Sequence, residues 1–96
     1  MDNYILIDGK PVAEPDIIKW AMWRETADTI VKQDRIGGVF VSTVFLGLDH
    51  AFGKGPPMLY ETMVFGGPHD KYQERYCTRD EALAGHARAV VMVKQP

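Results

Sequence analysis

The ten residues from Val39 to Leu48, VFVSTVFLGL, constrain this chain most. Side chains alternate along a strand, so one face reads Val39, Val41, Thr43, Phe45 and Gly47, and the other Phe40, Ser42, Val44, Leu46 and Leu48. Both faces are mostly apolar, and the β-branched and aromatic residues fit a pleated surface. Such a strand belongs in the middle of a sheet that is covered on both sides. A chain of 96 residues forms one domain, spanning residues 1–96, with material for one helical layer. The second sheet face then needs a second copy of the chain, and the reading predicts a homo-oligomer.

The rest of the chain is punctuated around this strand. Ala51 to Pro57 is a glycine-rich loop ending in two prolines, and Met58 to Phe65 reads as the returning strand. Gly66-Gly67-Pro68 breaks it, and Lys71 to Cys77 reads as a more polar edge strand. Thr78-Arg79-Asp80-Glu81 is a capping box, followed by a helix to about Val93 with Leu83, Ala87, Val90 and Val91 on its apolar stripe. Upstream, Tyr4 to Ile7, the turn signal Asp8-Gly9 and Lys10 to Val12 read as a short hairpin. Glu14-Pro15-Asp16 opens a helix that the apolar spacing of Trp20, Trp23, Ala27, Ile30 and Val31 carries to about Lys32. Ile18 and Met22 form a second apolar patch on it, readable as a partner surface. Gly37-Gly38 ends the linker that follows. The order β(β)-α-β-β-β-α makes the class α+β, with a mainly antiparallel sheet, one helix layer and the second sheet face used for oligomerisation.

Composition excludes several function classes. The formal net charge is −2 with no basic run, which argues against a nucleic-acid partner. Cys77 is the single cysteine, so no internal disulfide forms, as suits a reducing cytoplasm. No run approaches about 18 apolar residues. The first residues, MDNYILIDGK, lack the basic start and long apolar run of a signal peptide. The expectation is a soluble cytoplasmic protein without a membrane partner.

Polar residues set into apolar strands are the candidates for a site, because such groups cost stability unless paired or wet. Glu61 shares a face with Leu59, Met63 and Phe65, and needs a partner for which Arg24 and Arg75 are both candidates. Its functional reading is a carboxylate that holds ligand hydroxyls, as an acid holds a ribose. Thr43 and Thr62 add hydroxyls to the set or serve simply as good strand residues. Asp49 and His50 end the long strand. They are either ligand contacts or, structurally, an acceptor for the turn amides and a closing core residue. As neighbours on a strand they point to opposite faces and make a poor dyad. Trp23, with Trp20, is core or a stacking platform for a base. FGKGPP and GGPHDK, with Lys54 and Lys71, are glycine loops able to cradle phosphate or merely to turn. His86, between Leu83 and Val90, reads as a satisfied core histidine. Cys77 sits just before a helix N-terminus, where a thiolate is favoured, but a lone cysteine without other signals reads as inert. His50, His69 and His86 lack metal-ligand spacing, so neither a metal nor another cofactor is expected. No serine or cysteine has a nucleophile elbow.

The segments VSTVFLGLDHAFGKGPPMLYETMVFGG and YCTRDEALAGHARAVVMV resemble a group of small accessory proteins encoded by bacteriophages and prophages. The resemblance runs from about Gly38 to Val93 and more loosely over the N-terminal strand and the Trp20/Trp23 helix. It implies a viral protein acting in the host bacterial cytoplasm against host defence. The expected function is a homo-oligomer that binds and sequesters a nucleotide-derived small molecule through Asp49, His50, Glu61, Thr62, Thr43, Arg24 and Trp23. The alternatives are an inhibitor that binds a host defence protein directly, and a small hydrolase using His50 or Asp49. The first two are not enzymes.

Overall fold

A computed structural model describes residues 2–51 and 55–95. Tyr4–Ile7 (β1) and Lys10–Ala13 (β2) pair as an antiparallel hairpin, with Tyr4 opposite Ala13. Asp8 and Gly9 both take positive φ, 51° and 77°, as a tight two-residue turn that follows the strand twist requires. Asp16 caps the helix Ile17–Thr26 (α1): its Oδ1 accepts the amides of Ile18 and Lys19. Pro15 thus precedes the cap rather than opening the helix.

The expected helix to Lys32 is too long. α1 stops at Thr26, and Ile30–Ile36 is a strand (β3) that the sequence reading missed. Asp28 Oδ1 accepts the Ile30 amide, and the Phe45 amide donates to the Thr29 carbonyl. Those bonds tie the segment to its neighbour, so pairing overrides the helical spacing of Ile30 and Val31. Gly37, at φ 58°, turns β3 into Val39–Phe45 (β4), making a hairpin where a linker was expected.

Tyr60–Phe65 (β5) and Gln73–Tyr76 (β6) complete a four-stranded antiparallel sheet in the order β3-β4-β5-β6. β4 is a central strand, as its two apolar faces require, and β6 is an edge. The class is α+β with a mainly antiparallel sheet and one strand more than expected. The capping box holds: Thr78 Oγ1 accepts the Glu81 amide and starts the sixteen-residue helix Arg79–Lys94 (α2).

α2 lies across one sheet face and touches all four strands. That face supplies Val41, Thr43, Phe45, Tyr60, Thr62, Val64 and Tyr76, and the helix supplies Ala82, Gly85, His86 and Ala89. Gly85 is required there, because a Cβ would collide with the Tyr76 phenol. The other face carries Phe40, Ser42, Val44, Glu61, Met63 and Phe65. Neither helix of the described residues packs on it: α1 packs on β1 and, through Trp23, on Phe45 of the opposite face. Phe40 stacks on Phe65 with ring centroids 6.2 Å apart, Arg35 lies over Phe40, and Phe65 is 46% exposed.

Candidate ligand-binding site

Glu61 is the most constrained polar residue of the open face. It stands opposite Val44 and Arg75 in the sheet register and is only 8% exposed. Arg75 Nε donates to its Oε2 at 2.9 Å, and Gln73 Nε2 donates to the same oxygen. Of the two partners the sequence offered, Arg75 is the one the fold supplies. Arg24 is elsewhere: its Nη1 donates to the Leu46 carbonyl at 2.6 Å and its guanidinium stacks on Trp20. Both bonds to Glu61 end on Oε2, so Oε1 is uncommitted among the described residues. A carboxylate held rigid on one oxygen and free on the other can accept hydroxyl hydrogens.

Thr62, next in sequence, points the opposite way. Its hydroxyl meets that of Thr43 directly across the β4–β5 pair. Thr43 Oγ1 then lies 2.7 Å from His86 Nδ1, and His86 Nε2 lies 2.7 Å from Asp34 Oδ2. The row runs under α2 from the centre of the sheet to β3. It holds Asp34 below the ordinary carboxylate pKa, chiefly through the hydrogen bond from His86. A hydroxyl, an imidazole and a carboxylate in line resemble the proton-transfer array of hydrolases. Here Thr43 is fully buried and bonded to a second buried threonine, so no substrate atom reaches its oxygen in this structure. His86 is the satisfied core histidine its sequence position indicated. Asp34 went unnoticed because it fell in the supposed linker. No alternation marks a strand there, because Lys32, Gln33, Asp34 and Arg35 are all polar and only pairing with β4 sets the segment as one.

Asp49 behaves as a turn acceptor. Its Oδ1 takes the amides of Ala51 and Met58, closing the base of the loop. The His50 amide donates to the Met58 carbonyl, continuing the β4–β5 pairing irregularly beyond the named strands. Trp23 packs edge-on against Phe45 at 6.0 Å, while Trp20 Nε1 donates to the carbonyls of Tyr4 and Gly47. Thus the seven candidate residues do not converge. Thr43, Thr62 and Trp23 pack toward the core, Arg24 joins α1 to Leu46, Asp49 and His50 close the loop, and Glu61 alone lies on the open face.

Of the two glycine loops, GGPHDK closes on itself, with the Gly66 amide donating to Asp70 Oδ1. In FGKGPP, Phe52, Gly53 and Lys54 lie outside the described residues. Burial, with Glu81 and Asp49 nearby, pushes the Cys77 thiol up, in the direction of an inert cysteine rather than of the thiolate that a helix N-terminus favours. Among the described residues no three His, Cys, Asp or Glu side chains group as metal ligands, and no helix is long and apolar enough to cross a membrane. No family model, curated protein or solved structure matches the chain.

Proposed function

We propose that the protein is a phage-encoded homo-oligomer that binds a nucleotide-derived small molecule in the host cytoplasm and holds it away from a defence system. The observation that carries this reading is Glu61. It is a nearly buried carboxylate fixed by Arg75 and Gln73, with one oxygen left over among the described residues, on a sheet face that neither described helix covers. Its apolar surroundings, Val44 and Met63, lower the local dielectric and strengthen any hydroxyl bonded to it. A ribose is a ligand with hydroxyls to give and a base to set against apolar floor. The partial exposure of Phe40, Val44, Met63 and Phe65 supports a second copy over the same face. The phage origin and the cytoplasmic setting rest on the sequence resemblance.

Native mass spectrometry of the protein as purified from bacteria tests this directly. The expected result is an oligomer carrying a nucleotide-sized adduct, with the adduct lost in Glu61→Gln and the oligomer kept. A bare monomer would overturn the reading.

A second reading has its own support. Ile18 and Met22 are 68% and 65% exposed on α1, a patch suited to a host protein rather than to a small ligand. Under that reading the protein inhibits a defence protein by direct binding, and Ile18→Ser with Met22→Ser abolishes the complex while Glu61→Gln leaves it intact.

A further inference from the structure

The start of α2 and the tip of the β1–β2 hairpin enclose a cleft of about 400 Å³, on the side of the sheet away from Glu61. Lys10 lines it from the hairpin, and Tyr60, Thr78, Arg79 and Asp80 line it from the sheet and helix. The Glu81 amide is taken by Thr78 Oγ1 and the Ala82 amide by the Thr78 carbonyl. The amides of Arg79 and Asp80 are left uncommitted among the described residues, at the positive end of a sixteen-residue helix.

Tyr60 gives an independent indication. It is 1% exposed, and its hydroxyl has no hydrogen-bond partner among the described residues. No side-chain polar atom sealed from solvent lacks a partner, so the hydroxyl is the part of Tyr60 that opens to the cleft. Open to the cleft, the hydroxyl can donate to an acceptor that enters it. Burial raises the Tyr60 pKa despite the charge of Arg79 nearby, so the phenol stays a donor at neutral pH. The Cys77 thiol beside it is also raised, and adds no negative charge.

We propose that this cleft is an oxyanion site that seats a phosphate or diphosphate group. The helix amides and the Tyr60 hydroxyl donate to it, and Lys10 and Arg79 supply two positive charges against the carboxylate of Asp80 in the lining and that of Glu81, which is held on Thr78. Phosphate suits it better than a carboxylate does, because its oxygens diverge enough to meet donors on the hairpin, the sheet and the helix at once. The site goes beyond the ribose-holding role given to Glu61, and does not depend on it.

The test is a titration of the whole protein with pyrophosphate, ADP and adenosine, followed through the backbone amide resonances of Arg79 and Asp80. Pyrophosphate and ADP are expected to shift both resonances saturably, and adenosine is expected to leave them in place. Arg79→Ala and Lys10→Ala should each weaken pyrophosphate about tenfold, as the loss of one charge-assisted contact implies. Tyr60→Phe keeps the ring packing and should weaken it a few-fold. Equal affinities for pyrophosphate and ADP identify a seat for the anion alone, and tighter ADP binding identifies a seat for a nucleotide; either supports the proposal. Shifts that never saturate, or that persist undiminished in Arg79→Ala, overturn it. Retention of a nucleotide that responds to Glu61→Gln but leaves these resonances unmoved would overturn this site while sparing the proposed function.

Discussion

The first 27 residues and the rest of the molecule are built on different principles. The stretch from β3 through α2, connections included, contains every buried hydrophobic residue of the described chain, from Val41 to Ala89. α1 has none, and the N-terminal segment instead exposes Ile7, Val12, Ile17, Ile18 and Met22. It is held at one place. Trp20 Nε1 bridges the carbonyls of Tyr4 and Gly47, Arg24 bonds to Leu46, and Trp23 rests on Phe45. Gly47, at φ 76°, lies so close to Arg24 and the Tyr4 carbonyl that a side chain there would be both strained and crowded. The C-terminal layer has its own core, whereas the N-terminal arm packs Tyr4, Leu6 and Trp23 against the edge of that core and leaves Ile17, Ile18 and Met22 outside it. The contrast teaches that the core and most of the large exposed apolar side chains belong to different stretches of this sequence.

The sharpest way to break that division is to cut the core at the point where the two regions meet. Phe45 touches both Trp23 and Tyr60. Phe45→Ala is expected to cost about 3–5 kcal/mol, the range for a large buried aromatic. Urea unfolding checks it. A loss near 1 kcal/mol would mean that the arm, not the sheet, carries the stability.

Gly85→Ala comes next. The methyl would collide with the Tyr76 phenol, so either the helix or the ring must move. Overpacking of this kind costs about 1–3 kcal/mol. Thermal unfolding should show the loss together with a disturbed Tyr76 resonance. Nothing in the sequence indicated this: a glycine inside a helix has no periodic signature, and its necessity lies wholly in what packs against it.

The buried polar row should respond to a smaller change. Thr43→Val keeps the shape but leaves Thr62 and His86 Nδ1 each short of a partner. The expected cost is about 1–3 kcal/mol, toward the lower end, because the isosteric change removes no volume. This row also marks the limit of what the sequence told. β4 was legible from its two apolar faces, the α2 cap from Thr78 and Glu81, and the need of Glu61 for an arginine, Arg24 or Arg75, from a carboxylate in an apolar strand. β3 was not, because Ile30 and Val31 continue the helical spacing of α1 and only pairing with β4 decides between helix and strand. With β3 went Asp34, and with it the link from Thr43 to the surface. The sequence grouped Thr43, Thr62 and Glu61 as one candidate site, yet the pleat sends Glu61 and Thr62 to opposite faces.

Asp34 makes the row sensitive to acid. Its pKa in the fold lies below the ordinary 3.8, mainly through the His86 hydrogen bond. The folded state therefore binds this proton more weakly than the unfolded chain. The resulting stabilisation is complete above about pH 3.8 and is lost as pH falls through the folded-state value. Asp34→Asn should flatten the decline of the melting temperature below that pH. The gap between the two proteins should narrow at high salt, since Asp34 is partly open to solvent. A wild-type profile that Asp34→Asn leaves unchanged would show that the row is held by its neutral hydrogen bonds alone.

The smallest expected effect bears most directly on the comparison. Ile18→Ser and Met22→Ser remove apolar surface that one chain does not bury, so each should change the stability of a dilute monomer by less than about 0.5 kcal/mol. Concentration supplies the discriminating variable. If the arm packs onto a second copy, wild-type melting rises with protein concentration, because association adds to apparent stability by mass action, and the double variant loses that dependence. If the open sheet face is the interface, the dependence survives in the double variant and disappears in Phe65→Ser instead. Phe65 and the α1 patch lie on separate elements, so the two substitutions report independently on which stretch of exposed apolar surface a second copy covers.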